Sequence, residues 1–261
     1  RTNPEARMPS RTVSSASTPV EVAAPNRPSG PISRVLSEQI RGTEPLPPDT
    51  PAIVSIDGPA GTGKSTVAGA LANRLGLDFL DTGAMYRAAA AIVIDHGINP
   101  DNHAEVVARV ADADLHFDWT LRPPAIMAWL VPMNDRIRDA DVSKLVSPIA
   151  GIADLREHMV RKQRIIAHQH PRLVTEGRDQ GSVVFPDADV KFFLSARPEI
   201  RAERRAAQLR GKGRDADAQT ILADIIERDR LDSTRAVGPL VCPEGAVTID
   251  TSDLEFDEVV R

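Results

Sequence analysis

The sequence predicts an α/β fold, a parallel sheet flanked by helices, and three observations predict it. A β-branched run, IVSI, leads from Ala52 into a glycine loop and then into an amphipathic segment, STVAGALANRLG. Two later runs, LVTE from Leu173 and VKFFLS from Val190, are apolar at consecutive positions, the pattern of strands buried on both faces. Helical stretches separate these runs, and strands that alternate with helices build parallel sheets because a parallel neighbour needs a crossover connection.

Each element has its own local reason. Val67, Leu71 and Leu75 recur on one helical face, and Gly76 suits the helix end, where the backbone turns left-handed. PEIRAERRAAQLR reads as a helix with Pro198 in its first turn, a position whose N–H has no helical partner in any case. VTID from Val247 supplies a further strand, expected like the others to be apolar on both faces. Between about 98 and 170 the pattern changes: DLHFDW, PAIMAWLV and DRIRD are short alternating stretches, expected to form a small antiparallel sheet rather than a crossover helix. Trp119 and Trp129 are expected to pack this insertion, and His168 and His170 to mark the surface end of a helix with no carboxylate cluster nearby.

The resulting map has an extension over 1–50 and a folded unit over 51–261. The folded unit divides into a core (about 51–97, 171–205 and 236–261), an insertion (about 98–170) and a lid (about 206–235). The extension is rich in Pro, Ser, Thr and Ala and has too little apolar surface to offset its ordering entropy, so disorder is expected. Within it, Ile32, Val35, Leu36 and Ile40 fall at helical spacing and could form one short helix.

Composition narrows the function. The chain has 261 residues and a formal net charge of −5, which argues against a broad nucleic-acid surface. Its one cysteine, Cys242, excludes an internal disulfide and a cysteine-built zinc site, which fits a reducing compartment. There is no apolar run long enough to span a membrane, and a cytoplasmic monomer is expected.

Residues Gly58 to Ser65 read GPAGTGKS, the GxxxxGK[ST] pattern, between a predicted strand and a predicted helix. Chance produces four specified positions in a chain of this length roughly once in a hundred times, before that context is required. Gly58, Pro59, Ala60, Gly61, Thr62 and Gly63 are expected to curl their N–H groups around ATP phosphates at a helix N-terminus, with Thr66 behind them. Lys64 should reach the outer phosphates, and the Ser65 hydroxyl should sit on Mg²⁺.

Three further stretches, DTGAMYR from Asp81, TEGRDQGSVVFPDADVKFFL from Thr175 and ERDRLDSTRAVGPLV from Glu227, join IDGPAGTGKST in one order. Together they resemble the cytidylate kinase family of nucleoside monophosphate kinases, from about Ala52 to the C-terminus. The resemblance implies a phosphate-loop kinase core, an inserted region that binds the monophosphate, a short lid, and transfer of a phosphoryl group from ATP to CMP or dCMP.

It also implies site residues. Thr82, where the family has serine, and Arg87 would lie by the acceptor; Arg138, Ser147 and Arg156 would join them from the insertion; Arg178 and Asp179 would come from GRDQG. Arg228 and Arg235 would hold phosphates and Asp232 the acceptor ribose, on one stripe if ILADIIERDRLDSTR is helical. Lys64, Arg178, Arg228 and Arg235 form the expected catalytic group. A carboxylate only accepts hydrogen bonds, so Asp179 should favour the cytosine amine over the uracil carbonyl. QLRGKGRDADAQ looks like the closing lid, with Arg204, Arg205, Arg210 and Lys212 as candidates to face ATP. Two alternatives stay open at this point: a kinase for UMP or another small acceptor, and a nucleotide-dependent switch without catalysis.

Overall fold

The computed structural model describes residues 50–211 and 213–261. The extension up to residue 49, with its apolar spacing from Ile32 to Ile40, and Lys212 lie outside the described residues.

The chain runs β1 (Ala52–Asp57), α1 (Lys64–Leu75), β2 (Asp78–Asp81), α2 (Thr82–Asp95), α3 (His103–Asp112), β3 (His116–Asp118), β4 (Ala125–Ala128) and β5 (Val131–Pro132). It continues through α4 (Ala140–Ala150), α5 (Ala153–Gln169), β6 (Arg172–Gly177), β7 (Val190–Ser195), α6 (Pro198–Arg210), α7 (Ala218–Thr234), β8 (Val247–Asp250) and α8 (Phe256–Val260). The main sheet has the order β2-β6-β1-β7-β8, with every pair parallel. β1 lies at its centre, in register from Ala52 opposite Arg172 to Asp57 opposite Gly177.

Strand alternation divides the core in two. Ala52, Val54 and Ile56 pack with Val67, Leu71 and Leu75 of α1, the face the spacing predicts. Ile53 points the other way, into a larger cluster built by α2 to α5, so Ser55 and Asp57 follow it to that side. In α2, Ala88 to Ala91 are all fully buried, as for a helix enclosed on every side. Gly76 ends α1 at φ 63°, and its N–H bonds the Ala72 carbonyl.

Several expectations change. The antiparallel sheet exists as β3-β4-β5, but DRIRD is a 3-10 turn over Arg136–Arg138 and not a strand. Most of 98–170 is helical, because Val106 and Val110 on α3 and Leu155 and Met159 on α5 recur at helical spacing and are fully buried. β8 forms an edge of the sheet and is largely exposed, Val247 included, and among the described residues no strand lies beyond it. Trp119 packs against the larger cluster, whereas Trp129 sits exposed at the β4–β5 turn with φ 45°. His170 is more than a helix end: its ring stacks on Trp119 and its Nδ1 lies 2.8 Å from the Asp78 carboxylate. No helix among the described residues is long and apolar enough to cross a membrane.

Gly58 marks where the sheet meets the loop. Its φ is 145°, and a Cβ there would stand 2.0 Å from the Leu194 carbonyl oxygen, whereas a Cβ on Gly63, at φ 89°, would meet nothing within 4 Å. Gly58→Ala should therefore cost roughly 3 kcal/mol or more through overlap and strain. Gly63→Ala should cost about 1 kcal/mol, the left-handed penalty alone. Urea unfolding of the two ligand-free variants measures the difference; equal costs would mean that β7 yields at Leu194.

Candidate functional site

The loop between β1 and α1 takes positive φ at Gly58, Gly61 and Gly63. Gly63 caps α1 without a side-chain hydrogen bond, and the first turn carries no acid, so the helix N-terminus keeps its attraction for an anion. Thr62 and Lys64 fold back onto the loop, their side chains donating to the Pro59 carbonyl at 3.2 and 2.7 Å. Burial pulls the Lys64 ammonium well below its usual range, and Arg178 pulls it further against the opposing pull of Glu176. A buried cation in that condition gains from an incoming anion.

Ser65 donates to the buried Glu176 carboxylate at 2.6 Å. Burial, and Asp81 after it, raise the Glu176 carboxyl above its ordinary value. Hydroxyl and carboxylate oxygens are hard donors of the kind Mg²⁺ accepts, usually one or two from protein with the rest from water and phosphate. Among the described residues no group of three or more His, Cys, Asp or Glu gathers as a metal cage. The donor set thus fits a magnesium ion that is shared with a phosphate ligand.

Asp57, at the end of β1, is fully buried and accepts the backbone N–H groups of Gln180 and Gly181 at 2.8 and 2.7 Å. These bonds pin the turn GRDQG to the strand that feeds the phosphate loop. Gly181 has to be small, because a Cβ there would stand 2.8 Å from the Ser55 hydroxyl.

Two linked clusters of charge grow from that turn. In the first, buried Arg156 pairs with buried Asp179, donates to the Ala150 carbonyl at 3.1 Å and lies over the Tyr86 ring at 5.3 Å. In the second, Arg178 donates to Asp232 at 2.8 Å, and Arg235 reaches the same carboxylate at 3.9 Å. Burial lowers Arg228 to about 10, with Arg178 the next cause. Burial pushes the Tyr86 phenol up to about 12. Buried polar atoms with no partner include Tyr86 Oη, Ser147 Oγ, Arg156 Nε, Gln163 Nε2, Arg228 Nε and Arg235 Nη2. Orphaned buried polar atoms are costly, so those of Tyr86, Arg156 and Arg235 beside Asp179 and of Arg228 beside Asp232 point to a polar ligand.

Other candidate residues have protein partners of their own, and one leaves its expected helix. The Thr82 hydroxyl is engaged by the Glu176 carbonyl at 2.7 Å, because Thr82 opens α2 directly beside β6. Arg87, partly exposed, pairs with Asp81 at 3.0 Å. Arg138 is exposed and lines a cavity of about 480 Å³ with Ser65, Thr66 and Phe117. Arg235 is not on the helix with Arg228 and Asp232: α7 ends at Thr234, and Arg235 turns extended to donate to the Gly238 carbonyl. Arg204 donates to Thr251, whose hydroxyl contacts the Thr62 carbonyl at 3.3 Å, so it braces the loop from behind.

Asp57, Glu176 and Arg201 were not singled out by sequence. The first two close strands, in SIDG and TEGR, where an acid between an apolar run and a glycine is a readable signal. Arg201 carries no such signal, being one of four arginines in PEIRAERRAAQLR.

Comparison with known proteins adds a family. The family described as Cytidylate kinase matches residues 54–261. The chain is similar to a cytidylate kinase of Corynebacterium glutamicum, 44% identical over 208 residues, covering 80% of this chain and 90% of that one. It is also similar to a cytidylate kinase of Methylococcus capsulatus, 43% identical over 215 residues, covering 82% and 95%.

The brace at Asp57 has a pH signature. Burial raises its carboxyl from 3.8 to about 6, against the two N–H donors. A folded pKa above the unfolded one gives stability that is full below 3.8 and is lost as pH rises through about 6. Asp57→Asn removes that titration, so its deficit against the parent, ligand-free, should shrink by about 2 kcal/mol between about pH 4.5 and pH 7.5. Chemical denaturation at the two pH values reads it; a constant or widening deficit would remove Asp57 as the titrating brace.

Proposed function

The chain belongs to the cytidylate kinase family, and from that membership and the site we propose that it transfers the γ-phosphoryl group of ATP to CMP or dCMP, giving CDP or dCDP. The observation that carries the reading beyond a bare nucleotide-binding loop is a second set of cations, buried Arg156 and half-buried Arg178, Arg228 and Arg235, which outnumber the two carboxylates among them, Asp179 and Asp232. A switch protein has no use for a second phosphate site.

In this reading the loop from Gly58 to Gly63 cradles the ATP phosphates, helped by Thr66 and by Arg204 behind it, and Lys64 lies along the bond to be broken. An acceptor phosphate oxygen attacks the γ-phosphorus in line; the bond to the β-phosphate oxygen breaks, and ADP leaves with that electron pair. No protein nucleophile is needed, because positioning and charge stabilisation carry the reaction. Ser65, backed by Glu176, would hold Mg²⁺, which would supply charge neutralisation for the phosphates. Arg178, Arg228 and Arg235 hold the acceptor phosphate and the charge in flight, a task that suits a planar, always-charged fork. Arg87 and Arg138 close on it from α2 and the insertion as the lid shuts. Ser147 and Arg156 hold the base, Asp179 accepts from its amine, Asp232 takes the ribose, and Thr82 supports this side through β6.

The same reading assigns three moving parts, a core, the insertion at about 98–170 and a lid at about 206–235, whose closure excludes water. It places the protein in the cytoplasm as a monomer acting on free nucleotides, in keeping with one cysteine and a net charge of −5.

A coupled assay with CMP, dCMP, UMP and AMP tests the proposal: ATP turnover should depend on a cytidine monophosphate. Slow hydrolysis unaffected by any acceptor would favour a switch, and preferred turnover of UMP would favour the other kinase. Asp179→Asn should lower the CMP over UMP preference in kcat/KM by roughly ten-fold, since a buried acceptor facing an acceptor costs about 1–3 kcal/mol. The same change should destabilise the ligand-free protein, because Arg156 loses its buried partner. An unchanged ratio with lowered stability would leave Asp179 as a counterion only.

A further inference from the structure

The phosphate loop is tied to α7 by a side chain that the reaction as described does not use. Arg201, on α6, is almost fully buried and spends its donors on protein. Its Nε donates to the Ala196 carbonyl at 2.9 Å, and Nη1 donates to the carbonyl of Ala60, in the middle of the loop, at 3.1 Å. Both terminal nitrogens grip the Asp229 carboxylate, at 3.1 and 2.6 Å. Its aliphatic stem also packs under the loop, where a Cβ on Gly61 would stand 3.2 Å from the Arg201 Cβ.

Asp229 adjoins Arg228, and one helical turn on lies Asp232, the partner of Arg178. The helix α7 therefore has two anchors: Asp232 joins it to the GRDQG turn, and Asp229 joins it, through Arg201, to the backbone of the phosphate loop.

We propose that Arg201 and Asp229 are positioning residues that hold Arg228 in register with the phosphate loop, so that donor site and acceptor arginines move as one unit. Four of the five guanidinium N–H groups are already engaged, which separates this role from direct phosphate binding. The pair is a fork on a carboxylate, the geometry that fixes direction as well as distance. A lysine retains the charge and loses the fork, so it should not replace Arg201. The kinetic part of the proposal rests on the phosphoryl-transfer reading above; the structural part does not.

The test is a double-mutant cycle on the full chain with Arg201→Lys, Asp229→Asn and the pair together. Turnover is expressed per MgATP-binding site, counted by calorimetry, so that a loss of folded protein does not count as a loss of rate. Each single change should lower kcat about ten- to hundred-fold, the scale of a misplacement near 1 Å. KM for ATP should move little, and the double variant should be no worse than either single one. Hydrogen exchange of ligand-free protein should rise across 60–63 in both single variants.

If Arg201 instead binds phosphate directly, Asp229→Asn frees it and MgATP binding tightens, while Arg201→Lys weakens it; opposite effects of the two single changes overturn the proposal. Unchanged loop exchange and a rate per binding site equal to the parent also overturn it, leaving the pair as packing. Should the parent fail to phosphorylate CMP, the assigned reaction falls while the exchange measurement still decides the tie.

Discussion

Everything in the site hangs from one buried carboxylate. Asp57 closes the central strand β1 and accepts two backbone N–H groups of the turn after β6. The phosphate loop begins at the next residue, and Asp179 precedes the first of those N–H groups by one. A hydrogen bond to a charged group in a dry interior is strong and directional. It joins the two stretches that were separated by more than a hundred residues of sequence, so any shift of the GRDQG turn is felt at the loop.

The charge balance follows from that junction. Lys64, Arg156, Arg178, Arg228 and Arg235 are drawn into low dielectric, where each pays for the loss of water. Asp179, Asp232 and Glu176 offset part of the cost, and removing one partner of such a pair exposes the rest. What remains unmet appears as the depressed Lys64 and Arg228 and as the orphaned nitrogens around them. A fold selected for stability alone would fill such space with apolar side chains. Here the unmet positive charge is consistent with a site whose missing partners are phosphates.

The sheet order explains how three separate stretches meet. With β1 between β6 and β7, the loops after all three strands emerge at one end of the sheet, the usual place for ligands in an open α/β sheet. The phosphate loop, the GRDQG turn and the start of α6 are those loops. α7 then packs on α6 and delivers Arg228 and Asp232 across the opening, a contribution that the sheet itself does not make.

By itself the sequence determined the strands β1, β6 and β7, the helix α1 with its glycine end, and the phosphate loop, because each depends on local rules: apolar runs, helical spacing, and glycine at positive φ. It also carried the order of the four motifs and so the family. Tertiary structure decided the rest. The helical character of most of 98–170 depends on burial of faces that prolines and polar breaks conceal, and the edge position of β8 depends on the order in which the described strands assemble. Arg235 left the helix because the chain turns at Thr234, and Thr82 lost its hydroxyl to the neighbouring strand. The roles of Asp57, Glu176 and Arg201 as braces are contacts across 28 to more than a hundred residues. Such contacts exist only once the sheet has closed, since spacing along a chain encodes which residues share a face but not which distant backbone group will stand opposite them.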